Sequence, residues 1–351
     1  MRSKPLYKIA FAGMAVVLLL SSCRLGKNPN RPAQQDPTPS GESTQVTETS
    51  PTSAPEALTF QTGRNDYVIT VDETPREFII HVPSGYDASK PTPVVFMFHG
   101  SRQTGEMLYQ YSTWRQKGEK ENFITVYPTS WEYLLTTTDQ VETKWNDIGL
   151  KNITPAGTEL KDDVKFVSAM MELLRVTFNV DEKRVYASGF SNGGSFVLTR
   201  LLFEMHDTFA SFGVSASGIS LGNEAFANLP PQTIGNSLYV IIGTEDEVIS
   251  SPENPRPFPL APDEIWNDPY FGPMLRNTAA ILSLEPTYEV SGQEGDITIF
   301  RFANSETGAN NEYIFEMVKG LTHLYPKGDD NDYNLNAASI FWEFFTQHPM
   351  K

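Results

Sequence analysis

From Tyr67 onward, short apolar runs rich in β-branched and aromatic residues alternate with stretches of helical period. The runs predict strands at Tyr67–Val71, Phe78–Val82, Val94–Phe98, Phe123–Tyr127, Arg184–Ser188, Ala210–Ser215, Leu238–Ile242, Ile297–Phe302 and Tyr313–Val318. The helical stretches are Met107–Lys120, Asp163–Phe178, Ser195–Met205 and Met274–Leu284, with a last helix at Asn336–Phe345. Strand and helix in alternation argue for an α/β fold with a mostly parallel central sheet and helices on both faces. The runs Pro93–Phe98 and Leu238–Ile242 are apolar without a break, the pattern of strands buried on both sides. The first two strands, joined by Asp72-Glu73-Thr74-Pro75, predict an antiparallel hairpin added at the N-terminal edge. No period of about 20–50 residues repeats, which excludes solenoids and propellers.

Two segments interrupt this pattern. Ser251–Pro273 carries seven prolines with Phe258, Trp266, Tyr270 and Phe271. A long insertion of this kind is read either as a lid or as a surface excursion over the sheet. Asp162 and Asp163 stand at the start of a helix, where carboxylates cap free N–H groups and meet the positive end of the helix dipole. That reading is preferred to a catalytic carboxylate pair.

The chain's beginning follows other rules. Arg2, Lys4 and Lys8 precede the apolar run Ile9–Leu20, which is followed by Ser21-Ser22-Cys23. The run is too short for a helix of about 20 residues to cross a bilayer, and it reads as an export signal. Cys23 is the only cysteine, and it sits where the bacterial lipoprotein signal places its acylated residue. This resemblance implies removal of residues 1–22 and a lipid on Cys23. Membrane attachment would then be through that lipid alone, with the rest of the chain outside the cytoplasm. Residues 23–57 are mostly Pro, Ser, Thr, Gln and Glu and cannot bury enough surface to fold, so a disordered tether is expected there. A flexible coil of that length reaches about 30–35 Å. Residues 58–351 then form the folded domain, without any disulfide. About 295 residues suffice for a core that needs none.

Net charge is −16, and loss of the three basic residues in the first 22, which contain no acidic residue, takes it to −19. No block of Lys or Arg follows, so nucleic acid is not an expected partner. No His/Cys/Asp/Glu group has zinc spacing and no phosphate-binding glycine loop is present, so no metal and no cofactor are expected. A monomer is expected.

The strongest chemical signal is Arg184–Ser195, which reads strand, Gly189-Phe190-Ser191-Asn192-Gly193, then helix. By chance Gly-x-Ser-x-Gly occurs roughly 0.1 times in such a chain, so the context matters more than the pentapeptide. A sharp turn between strand and helix lifts the Ser191 hydroxyl to a helix N-terminus, where free N–H groups favour a developing oxyanion. A serine needs a histidine to take its proton and a carboxylate to orient that histidine. His323 follows a predicted strand on a loop. His206 lies near a helix end and His348 among the last residues, so His323 is the candidate base. Glu245, Asp246 and Glu247 all follow the strand Leu238–Ile242, where sites in open α/β sheets gather, and spacing does not choose among them. Phe98-His99-Gly100-Ser101 is the candidate source of a second oxyanion N–H, with His99 as a hydrogen-bonded structural residue.

Together these motifs resemble the poly(3-hydroxybutyrate) depolymerase and feruloyl esterase group, near carbohydrate esterase family 1. The resemblance runs from about Phe60 to Phe345. It is carried by Arg76-Glu77-Phe78 with His81-Val82-Pro83, Phe98-His99-Gly100 and Phe123–Pro128. It continues in Trp145-Asn146, Asp162-Asp163-Val164, Gly189–Gly194, Gly243-Thr244-Glu245-Asp246 and His323-Leu324-Tyr325-Pro326. It implies an α/β-hydrolase fold and a serine ester hydrolase, with Ser191 as nucleophile, Asp246 as acid and His323 as base. The backbone N–H groups of Ser101 and Asn192 would form the oxyanion hole. The implied substrates are feruloyl or acetyl esters of plant polysaccharides, with Trp145 a candidate stacking surface. The alternatives are hydroxyalkanoate oligomers or, in another class, a lipid-anchored carbohydrate-binding protein without turnover. The sequence departs from the group at Ile242, where a histidine is usual. It departs again at Ser101 and Lys144, where members with disulfides carry cysteines.

Overall fold

The computed structural model describes residues 45–46, 56–219, 234–249, 258–303 and 311–351. The expected export signal with Cys23 lies outside them. So does the expected tether, apart from residues 56–57 and the two-residue strand β1 (Gln45–Val46), which pairs parallel with the next strand. Leu58 is buried, and its N–H donates to Thr177 Oγ1 at 2.9 Å.

The main sheet is built from β1, β2 (Gly63–Val71), β3 (Thr74–Val82), β4 (Thr92–Phe98), β5 (Ile124–Pro128), β8 (Val180–Phe190), β9 (Ser211–Ser215), β10 (Ser237–Gly243), β11 (Glu289–Gln293), β12 (Ile297–Ala303) and β13 (Glu312–Val318). Their order across it is β1-β2-β3-β5-β4-β8-β9-β10-β13-β12-β11. The six strands from β5 to β13 are parallel. Every residue of β4, β5, β9 and β10 is buried, which accounts for the unbroken apolar runs Pro93–Phe98 and Leu238–Ile242. β2 and β3 form the expected antiparallel hairpin, and β3 is antiparallel to β5. The opposite edge is antiparallel as well, through β13-β12-β11, which the sequence pattern did not reveal. All five residues of β11 are exposed, so no apolar alternation marks it.

A second, two-stranded sheet, β6 (Trp131–Leu135) with β7 (Gln140–Lys144), was also unforeseen. Its Tyr133 and Leu135 form a small cluster with Leu150, joined by Trp131, Ile153 and Leu160, and it leaves Leu134 and Val141 exposed as a cross-strand pair.

Helices cover both faces. On one face lie α1 (Gly105–Tyr111), α2 (Trp114–Glu121) and α8 (Ala337–Gln347). There Trp342 stacks on Phe123 at 3.9 Å between ring centres. The single helix expected at Met107–Lys120 is split because Thr113 takes a left-handed φ of 64°. That turn drives Trp114 into the core, where it is fully buried. The other face carries α3 (Asp163–Thr177), α4 (Asn192–Phe196), a π-helical turn (Val197–Leu201), α5 (Leu202–Glu204), α6 (Pro262–Asn267) and α7 (Phe271–Ile281). Asp162 caps α3 by accepting the Lys165 N–H at 3.0 Å. Asp163 does more than cap. Fully buried, it pairs with Arg76 at 2.5 Å and accepts the Asn146 N–H at 2.7 Å.

Residues 250–257 of the proline-rich segment lie outside the described residues. From Phe258 on, the segment forms α6 and the start of α7, and it buries Phe258, Ile265 and Phe271 in the core. This is an α/β-hydrolase fold with antiparallel additions at both edges.

Candidate active site

Ser191 sits between the end of β8 and the start of α4 with φ 52° and ψ −121°. A side chain in this region costs on the order of 1–3 kcal/mol and persists only where its surroundings impose it. Two glycines permit the turn. A Cβ on Gly189 would lie 2.6 Å from the Gly193 carbonyl oxygen, and one on Gly193 would collide with the carbonyl oxygens of Phe98 and His99. The Ser191 N–H donates to the Ser215 carbonyl on β9 at 3.1 Å, which fixes the turn from the other side.

His323 and Asp246 come from neighbouring parallel strands. Gly243 at the end of β10 is in register with Val318 at the end of β13, so the two loops leave the sheet side by side. The Glu245 N–H donates to Leu321 O at 3.1 Å and the Gly320 N–H to Thr244 Oγ1 at 2.9 Å, stitching one loop to the other. His323 Nδ1 lies 2.9 Å from both carboxylate oxygens of Asp246, and its Nε2 lies 2.8 Å from Ser191 Oγ. A carboxylate only accepts, so Nδ1 carries the proton and Nε2 is the free acceptor facing the hydroxyl. Asp246 is fully buried, and its Oδ1 also accepts the N–H groups of Val248 at 3.1 Å and Ile249 at 3.0 Å. Of the three acidic residues, Asp246 is the one on the ring. Glu247 accepts the His323 backbone N–H at 3.2 Å, and the Glu245 side chain is exposed. Phe190 backs the imidazole, with ring centres 5.2 Å apart.

Three of the four remaining histidines are engaged away from Ser191. His348 pairs with Glu312 at 3.1 Å, and His206 donates from Nδ1 to Phe203 O at 3.1 Å. Fully buried His99 donates from Nδ1 to Gly100 O at 2.7 Å and accepts the Ser130 N–H on Nε2 at 2.9 Å. Burial pushes its pKa down to about 4, so it stays neutral, as a structural residue must with one nitrogen donating and the other accepting.

The loop after β4 runs past the serine. Gln103 Oε1 accepts the Gly100 N–H at 2.9 Å and Thr143 O accepts the Arg102 N–H at 3.1 Å. Ser101 N–H, between them, has no hydrogen-bond partner among the described residues. Asn192 is the first residue of α4, where backbone N–H groups have no intrahelical acceptor. Both candidate oxyanion donors are thus uncommitted.

Trp145 does not have the role its motif suggested. It is fully buried, stacks on Phe196 at 5.2 Å and donates its indole N–H to His99 O at 2.9 Å, so it offers no face to a ligand. Its backbone N–H donates to Asn192 Oδ1 at 2.8 Å, and Asn192 Nδ2 reaches Asp147 Oδ2 at 3.1 Å. Trp145 therefore clasps the His99 loop to the start of α4. Asp147 was not singled out from the sequence, although it directly follows Trp145-Asn146. Among the described residues, no three His, Cys, Asp or Glu side chains are grouped to hold a metal ion, and no helix is long and apolar enough to cross a membrane. An open cleft of about 480 Å³ lined by His206, Asn236 and His348 lies by the starts of β9 and β10 and contains none of Ser191, His323 or Asp246.

Comparison with known proteins places the chain more closely. Residues 71–255, just over half of it, match the family described as putative esterase. A bifunctional acetylxylan esterase/xylanase of Neocallimastix patriciarum is 25% identical over 171 residues, covering 49% of this chain and 22% of that protein. Poly(3-hydroxyalkanoate) depolymerase C of Paucimonas lemoignei is 29% identical over 140 residues, covering 39% and 30%. The chain thus matches less than a third of the length of these curated relatives. Among solved structures, an S-formylglutathione hydrolase of Agrobacterium tumefaciens superposes with a TM-score of 0.49 at 13% identity, over 81% of this chain and 95% of that one. The chain belongs to the putative esterase family.

Proposed function

We propose that the protein hydrolyses carboxylic esters through an acyl-enzyme on Ser191. The observation that carries this reading is the unbroken line of contacts from Ser191 Oγ to His323 Nε2 at 2.8 Å and from His323 Nδ1 to Asp246 at 2.9 Å. Ser191 Oγ attacks the ester carbonyl while His323 Nε2 takes its proton. The tetrahedral oxyanion meets the N–H groups of Asn192 and Ser101, each worth about 3–4 kcal/mol at the transition state. The imidazolium, held in its tautomer by Asp246, gives the proton to the leaving alkoxide and leaves an acyl ester on Ser191. Water, deprotonated by the same histidine, then releases the acid and restores the serine.

The favoured substrates are acetyl or feruloyl esters of plant polysaccharides, supported by the motif set and by the acetylxylan esterase relative. Hydroxyalkanoate oligomers are the second reading, supported by the poly(3-hydroxyalkanoate) depolymerase relative. A carbohydrate-binding protein without turnover fits poorly with a serine hydroxyl already paired to a buried His–Asp couple. The site of action is outside the cytoplasm, with the domain anchored by lipid on Cys23. Cys23→Ala should therefore leave the protein unlabelled by a palmitate probe and release it from the membrane fraction. The decisive experiment assays the purified protein on acetylated xylan, methyl ferulate and 3-hydroxybutyrate oligomers beside Ser191→Ala. A drop of at least about 10⁴-fold in turnover is expected. Equal turnover in the variant would remove Ser191 from the mechanism.

A further inference from the structure

Lys144, the last residue of β7, is half-buried, yet among the described residues it makes no ion pair and donates no hydrogen bond from its ammonium. Most cations so placed are paired, because removing an ammonium from water without a partner costs free energy. Burial is the main reason its pKa lies below the ordinary lysine value.

Its position is set by its neighbours on both sides. Thr143 O accepts the Arg102 N–H at 3.1 Å, and the Thr143 hydroxyl donates to Gln103 O at 2.7 Å. Trp145, on the other side, donates its N–H to Asn192 Oδ1 at 2.8 Å. The backbone of Lys144 thus runs from the loop that carries the Ser101 N–H to the residue that carries the Asn192 N–H. Three charged groups act on its ammonium: Asp147, Glu142 and Arg102. Neither carboxylate hydrogen-bonds the ammonium, and both hold bonds of their own. Asp147 takes bonds from Asn192 Nδ2 at 3.1 Å and from the N–H groups of Gly149 at 2.9 Å and Leu150 at 3.0 Å. Glu142 accepts the Thr138 hydroxyl at 3.0 Å and lies 3.9 Å from Arg102. Arg102 adds a second cation, held on the left-handed turn after Ser101 with φ 63° and with its side chain 77% exposed.

We infer that Lys144 is a specificity residue that receives a carboxylate carried by the ester substrate, with Arg102 supporting it from the rim. The inference rests on the Ser191 reading of the site. It names a class of substrate: esters that bear a free carboxylate, such as a uronate on the alcohol or the acid end of a hydroxy-acid oligomer. In a chain of net charge −16, such a substrate is repelled in general and needs a local cation to be accepted.

The test compares kcat/KM for isosteric charged and neutral esters. Monomethyl glutarate against methyl 4-carbamoylbutanoate places the carboxylate on the acyl side. 4-Acetoxybutanoate against 4-acetoxybutanamide places it on the alcohol side. In one pair the wild-type enzyme should prefer the anion by about tenfold or more, chiefly through KM, as a charge-assisted hydrogen bond allows. Lys144→Met should bring the ratio near one, Lys144→Glu should reverse it, and Lys144→Arg should keep most of it. Should the Met and Glu variants fail to fold, the wild-type ratio itself decides, because raising ionic strength to about 1 M must shrink it. Hydrolysis of both members of each pair with no preference for the anion, or with a preference indifferent to Lys144 and to salt, overturns the inference alone. A wild-type enzyme that cleaves none of the four esters overturns this inference, and one that also cleaves neither acetylated xylan, methyl ferulate nor 3-hydroxybutyrate oligomers overturns the Ser191 reading with it.

Discussion

Two regions border Ser191 and are held in place by different means. The loops after β10 and β13 leave a sheet whose strands are paired over six consecutive residues from Leu238–Tyr313 to Gly243–Val318. They deliver Asp246 and His323 to the serine with all three contacts between 2.8 and 2.9 Å. The wall made by β6, β7 and residues 145–150 reaches the large core only through Trp145 and Ile148. Its own cluster holds three fully buried residues, and it is tied to the serine by polar clasps: Trp145 to His99, Asn192 to Trp145 and Asp147, and Asp163 to Asn146. The lesson is a division of labour. Asp246 and His323 ride on the ends of strands paired in long register, while β6, β7 and the segment after them are tied to the Ser191 turn by hydrogen bonds.

The sharpest way to break the comparison is at the sheet end. Asp246→Asn keeps the shape but lets the amide donate to the ring, which favours the wrong tautomer. Turnover should fall about 10⁴-fold with the thermal midpoint nearly unchanged. A loss of less than tenfold would mean that the Asp246–His323 contact does not govern the reaction.

The wall should fail by instability first. Asp163→Asn leaves Arg76 buried without its counter-charge and weakens the link to Asn146. Breaking such a pair costs about 3–5 kcal/mol, readable as a lowered urea midpoint. A midpoint within error of wild type would show that Arg76 finds another partner.

A smaller effect is tied to pH. His99 is fully buried and neutral, with its pKa pushed from 6.5 down to about 4 by burial. The unfolded chain binds a proton there below about 6.5, whereas the folded one does so only below about 4. The contribution of His99 to stability is therefore complete above pH 6.5 and lost as pH falls through that window. In denaturant titrations from pH 7 to pH 4, His99→Gln should lose less stability than wild type. Parallel curves would show that His99 carries no such burden.

Much of the first region was legible from the chain. The uninterrupted apolar strands, the Gly-x-Ser-x-Gly turn and the position of His323 after a strand all follow from burial on two faces and from the need for a strained elbow. Residue spacing left Glu245, Asp246 and Glu247 equal, because only the three-dimensional course of the loop decides which side chain turns inward. The second region was opaque for physical reasons. In β6, Trp131 to Leu135, two neighbouring leucines fall on opposite faces of a small sheet, so periodicity blurs. β11 is exposed along its whole length and leaves no apolar trace. Trp145 looked like a sugar platform because an aromatic beside a site fits that role, but its indole N–H is needed by the His99 carbonyl. Lys144 stood out only as a departure from a family's cysteine, and its lack of a partner became visible once its neighbours were in place.

The central claim is that Ser191 is activated by His323. Its most direct test is reaction with a fluorophosphonate, followed by mass spectrometry of the digested protein. The account predicts one phosphonyl adduct per chain, on Ser191, formed within minutes by the wild type and slowed by orders of magnitude in His323→Ala. An adduct on another serine, or a His323→Ala variant labelled as fast as the wild type, would contradict it.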